Sequence, residues 1–117
     1  MVSLSDIEQA AQAIREIILQ TPLVFAPAFS EMTGANVYLK LETMQRAGSF
    51  KVRGAANKIL LERDRIGPAG VVAVSAGNHA QGVAVAAASL GIPATIVMPT
   101  WVSMKKQQAT LAYGAKV

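Results

Sequence analysis

Apolar residues recur at Ile7, Ala11, Ile14 and Ile18, which is one face of a helix. Ser5-Asp6-Ile7-Glu8 reads as its capping box, with Ser5 as cap and Glu8 three residues on. Thr21-Pro22 stops it, because the residue before a proline avoids helical geometry. Ala28 to Thr33 suits a short helix closed by Gly34. From Asn36 to Glu42 the pattern changes period: Val37, Leu39 and Leu41 alternate with Tyr38, Lys40 and Glu42, as in a half-buried strand. Ser49 then reads as the cap of a helix from about Phe50 to Arg65, closed by Gly67-Pro68. Val71 to Val74 and Ala94 to Met98 are short apolar runs of the kind found in buried strands. Between them His79 to Leu90 is small and apolar almost all round, a helix packed closely on a sheet, with Gly91 and Pro93 behind it. Ser103 opens a last helix running to about Tyr113, and Ala115 to Val117 begins a fourth apolar strand. Strand and helix alternating with short connections predict an α/β fold: a parallel sheet, right-handed crossovers, and helices on both faces in three layers.

Composition narrows the function classes. The 117 residues suffice for one core, with about two-thirds of the unfolded surface buried. At 52% hydrophobic and 15% charged the chain is not of the disordered class. Cysteine is absent, which excludes disulfides, thiolate metal sites and a cysteine nucleophile, and fits a cytoplasmic location. No apolar run approaches the roughly 20 residues of a membrane span, so no membrane partner is expected. The net charge of +4 comes from dispersed Lys and Arg with only 5% aromatics, a solvated surface and not a nucleic-acid footprint.

Ligands of open α/β sheets bind beyond the carboxyl ends of the strands. Two loops lie there, Thr43 to Ser49 and Ser75 to His79, and each leads into a helix N-terminus whose free N–H groups attract anions. The second, SAGNHAQG, adds the Ser75 hydroxyl, the Asn78 amide and the His79 imidazole around Gly77, a cradle for a small carboxylate or phosphate; an ordinary turn is the plainer alternative. Gly77 and Gly82 have the glycine spacing of a phosphate-binding P-loop, but Val83-Ala84 follow where Lys and Ser or Thr are required. His79 is the single histidine, so no metal site is expected, and the seven carboxylates suggest no acid/base pair. Lys51 is out of place electrostatically. The first turn of a helix carries about half a unit of positive charge, and Arg53 lies two residues on. Both disfavour the ammonium form, and a free amine is the nucleophile needed to condense with a carbonyl. Phe50 beside it could cover one face of an aromatic ring.

GSFKVRGA followed by SAGNHAQGVA resembles the fold-type II pyridoxal-phosphate enzymes, and among them the threonine dehydratases. The likeness extends through LKLETMQRAGSFKVRGAANK, GVVAVSAGNHAQGVAVAA, GIPATIVMPT and YGAKV, in order and over nearly the whole chain. It implies the N-terminal part and small domain of the tryptophan synthase β-like fold. Residues 1–42 would be a helix-and-strand segment whose Ile14, Ile17 and Ile18 pack on a second domain, and residues 43–117 an incomplete small domain.

By the same resemblance, Lys51 matches the lysine that holds pyridoxal 5'-phosphate as a Schiff base and then moves protons at the substrate α-carbon. Phe50 matches the residue packed on the ring, and Asn78 the partner of the ring hydroxyl. Ser75, Gly77, Asn78 and His79 match the loop that receives the amino acid's carboxylate. The implied reaction is β-elimination of L-threonine to 2-oxobutanoate and ammonia, with L-serine as second substrate, in a homo-oligomeric full-length protein. Serine dehydration, serine racemisation, cysteine synthesis and threonine synthesis are rivals within the family, and a non-catalytic anion-binding domain is a rival outside it. Ala76 stands where racemases of the family carry a serine proton donor, which favours elimination. Family members are about three times longer, and the glycine-rich loop for the cofactor phosphate lies downstream in them. The chain is therefore expected to be an N-terminal portion, inactive alone.

Overall fold

The computed structural model describes residues 1–117 as five α-helices and four short strands. Helix α1, Leu4–Ile14, starts two residues earlier than its sequence suggests. SLSDIE holds the capping pattern in two registers, and the upstream one forms: Asp6 N–H donates to Ser3 Oγ at 3.2 Å and Ser3 N–H donates to Asp6 Oδ2 at 2.7 Å. Ser5 instead accepts from the Gln9 side chain. The helix also ends before Thr21. Gln45, 4% exposed, ties down Leu19 beyond the helix by accepting from its N–H and donating to its carbonyl, at 2.8 and 2.7 Å.

Strand β1, Leu23–Phe25, pairs antiparallel with β2, Tyr38–Lys40, around the short helix α2, Pro27–Thr33, which Gly34 closes in the left-handed region. The expected half-buried strand is thus shorter than Asn36 to Glu42, and all three of its residues are exposed. Its partner β1 lacks any alternation that would announce it. Phe25 and Tyr38 meet edge-on with ring centres 5.4 Å apart.

The other sheet is parallel, pairing β3, Val71–Val74, with β4, Ala94–Val97, in register Val71 to Ala94. Lys116 adds an isolated parallel bridge to Thr95 of β4. Helix α4, Asn78–Ser89, makes the crossover and covers the face that carries Ala73, Ala94 and Ile96. Val72 and Val74 point the other way and are 70% and 76% exposed, so these strands are buried on one face and not on both.

Helix α3, Lys51–Leu61, packs along α4, and α1 packs on α3. Val52, Ala55, Ala56 and Ile59 of α3 join Ala80, Val83, Ala84 and Ala87 of α4 in one core. Ile14 and Ile17 belong to that same core at 4% and 6% exposure, with Ile18 half-buried beside them. The isoleucine face expected to await a second domain is therefore consumed within this chain. The face α1 leaves open carries Leu4 and Ile7. Helix α5, Met104–Ala112, buries only Thr110 fully, and Trp101 before it is exposed.

Candidate active site

Lys51 is the first residue of α3. The chain reaches it through a tight turn in which Ala47 and Gly48 both lie in the left-handed region, at φ 62° and 64°. For alanine that conformation costs about 1 kcal/mol, and the turn swings Ser49 inward. Ser49 is 6% exposed, and its hydroxyl has no hydrogen-bond partner. It is not the cap of α3, since Phe50 is already helical and no side chain caps the N–H groups of the first turn. The uncapped end leaves the positive pole of the helix open where the amine sits.

The Lys51 amine is exposed, forms no ion pair, and lies 5.0 Å from the centre of the Phe50 ring, itself 58% exposed. Arg53 does not turn toward it. Its guanidinium turns to Glu42, donating through Nε at 2.9 Å and Nη2 at 2.7 Å, and Thr21 donates to the same carboxylate. These bonds, Arg53 first, hold the Glu42 carboxyl down at about 2 from its ordinary 4.5. The Arg53 charge is thus spent on tying the strand-to-helix loop to the first turn of α3. Nothing in the local sequence around Glu42 announces this network, and only the fold brings Thr21, Lys40 and Arg53 around it.

Across from Lys51, the loop after β3 enters α4. Ser75 Oγ accepts from the N–H groups of Gly77 and Ala80 at 3.3 and 3.2 Å, so this hydroxyl caps α4 from three residues upstream. Ser75 and Gly77 accordingly shape the loop, while the N–H groups of Asn78 and His79 and both their side chains have no partner within the chain. His79 lines one shallow concavity with Phe50, Lys51, Gly54 and Ala55. Ser75 and Asn78 are not on its wall. A separate concavity beyond β4, bordered by Met98, Pro99 and Val102, carries no charged side chain.

A sequence profile described as "Pyridoxal-phosphate dependent enzyme" matches residues 14–117. The chain belongs to that family. It is 55% identical over 118 aligned residues to "L-threonine dehydratase catabolic TdcB" of Staphylococcus aureus (strain USA300), covering 100% of this chain and 34% of the relative. Among solved structures it superposes on a threonine deaminase from T.th. with TM-score 0.83 at 42% identity, over 99% of this chain and 36% of that one. It superposes on maize serine racemase with TM-score 0.88 at 37% identity, over 97% and 35%. The chain thus spans about a third of the length of the relatives it matches.

The family cofactor, pyridoxal 5'-phosphate, carries an aldehyde, an aromatic ring and a phosphate. The residues present fit the first two: an amine without an ion pair for the aldehyde and an exposed phenyl ring beside it for the aromatic ring, at the rim of one concavity. The unpartnered N–H groups at the start of α4 suit a carboxylate.

Proposed function

We propose that this chain is the lysine-bearing part of a pyridoxal-phosphate-dependent threonine ammonia-lyase, which converts L-threonine to 2-oxobutanoate and ammonia and takes L-serine more slowly. The observation that carries the reading is the Lys51 amine: free of any carboxylate, at an open helix N-terminus, and sharing a concavity with His79 in the first turn of α4.

Pyridoxal phosphate supplies an electron sink for the α-carbon of a bound amino acid. The rest is the work of this chain's residues. Phe50 shields one face of the ring and excludes water there. Asn78 and His79 bind the substrate carboxylate through N–H groups aligned with the α4 dipole, which fixes the α-carbon on the Lys51 side. The Lys51 amine takes the α-proton and then holds it within reach of the departing β-hydroxyl. Ala76 has no proton to give from the opposite side, so elimination is favoured over the racemisation named for the maize relative.

Lys51→Ala in the full-length protein tests the assignment. Borohydride reduction in the presence of pyridoxal phosphate should label the peptide containing Lys51 in the parent and not in the variant. Ammonia release from threonine should fall by on the order of a thousandfold. Turnover that survives in the variant, or labelling spread over surface lysines, would end the proposal. Threonine, serine and O-acetylserine assayed side by side separate the lyase from its synthase relatives, and formation of D-serine would reinstate the racemase.

A further inference from the structure

Alanine, the best helix former, is the commonest residue of helix α4, yet position 82 is glycine, among the poorest. The contact at that position explains the exception. A Cβ on Gly82 would lie 2.9 Å from the carbonyl carbon of Lys51, 2.9 Å from the backbone nitrogen of Val52 and 3.1 Å from Lys51 Cβ. Two of these are main-chain atoms in the first turn of a helix, so no rotamer change relieves the overlap. By contrast, a Cβ on Gly54 of α3 would meet nothing within 4 Å. Asn78 and Gly82 are four residues apart, hence on one face of α4, one turn above the other. The face that presses on the Lys51 backbone at Gly82 therefore carries the anion loop one turn higher.

We infer that Gly82 is a positioning residue: its missing side chain sets the distance between the Lys51 amine and the N–H groups of Asn78 and His79. The inference rests on the reading of Lys51 as the cofactor-bearing amine. Gly82→Ala forces the helices apart at Lys51 by about half an ångström, the gap between 2.9 Å and ordinary contact. The carboxylate loop rides on α4 and keeps its own shape, whereas the amine is displaced from it.

The test compares the full-length parent protein with Gly82→Ala and Val83→Ala. Val83 is 6% exposed on the same helix, and its truncation removes packing from the shared core without adding any atom against α3. Three quantities are read: melting temperature, the fraction of Lys51 trapped by borohydride at subsaturating pyridoxal phosphate, and kcat and KM for threonine. Both variants should melt lower. Only Gly82→Ala should lose trapped adduct and kcat, by roughly tenfold or more, with KM within about threefold; Val83→Ala should stay within about twofold of the parent. If the two variants behave alike in adduct and kcat, the positioning role is overturned while the Lys51 assignment stands. If the parent forms no adduct at Lys51, the functional reading has failed and this inference with it. Should Gly82→Ala not fold, Ala86→Val wedges the same face one turn farther on. A folded Ala86→Val protein should show about a threefold smaller adduct fraction, and parental values there overturn the inference.

Discussion

Glu42 gathers three donors, two from Arg53 and one from Thr21, in a half-buried setting between the end of β2 and the start of α3. Its carboxyl is held at about 2 in the folded chain and titrates near 4.5 when free of these partners. A carboxyl lowered by folding contributes stability that is complete above about pH 5 and is lost as pH falls from there toward 2. Allowing for screening of this partly exposed pair, about 1 to 2 kcal/mol is at stake. Glu42→Gln in the full-length protein should lower the melting temperature at pH 7 and flatten its decline between pH 5 and 2, as followed by calorimetry. A parallel decline in both proteins would show that the network stores no such energy. Near Lys51 the sequence foretold the odd cation but misjudged its neighbour. Two residues of separation set Arg53 beside Lys51 on paper, whereas a carboxylate eleven residues upstream claims the guanidinium in space.

Among the elements, α1 departs furthest from expectation. Its isoleucine stripe was legible as a helix face, but a stripe records only that something apolar covers it. The covering surface is α3, and Ile14 and Ile17 fill the same core as Val52 and Ile59. Ile14→Ala should therefore destabilise the fold by about 2 to 4 kcal/mol through lost burial and the cavity left behind. Ile7→Ala, at a position 58% exposed, should cost under about 1 kcal/mol. Urea unfolding of the two variants would rank them, and equal midpoints would contradict the packing of α1 on α3. The strands β3 and β4 and the helix between them were read almost to the residue, because an apolar run bounded by glycine and proline fixes a βαβ unit locally. Strand β1 went unread because three residues without a turn signal carry no period, and only pairing with β2 makes them a strand.

For the whole molecule, the radius of gyration of 16.3 Å exceeds the roughly 13 Å of a compact domain this long. The axes, 51 × 36 × 25 Å, say the same. Much apolar surface is correspondingly open, with Val72, Val74 and Val97 forming one contiguous valine face on the parallel sheet. The 117-residue polypeptide by itself should self-associate through that face. Light scattering after gel filtration should give a mass above one chain, reduced by the triple substitution Val72→Thr, Val74→Thr and Val97→Thr. A monodisperse monomer of the unaltered chain would refute this.

The order of the helices and of every strand but β1, and the placing of Lys51 and Asn78 at helix N-termini, were decided by the sequence itself, because capping, period and charge act over a turn or two of chain. The tertiary structure alone decided that Ser49 is buried and not a cap, that Ser75 is spent on closing α4, that Arg53 belongs to Glu42, and that Gly82 lies on the backbone of Lys51. Each of these is a contact between segments far apart in the chain or a choice among equivalent local partners. Such contacts are settled by which surfaces meet when the core closes, and no local pattern of residues encodes that outcome.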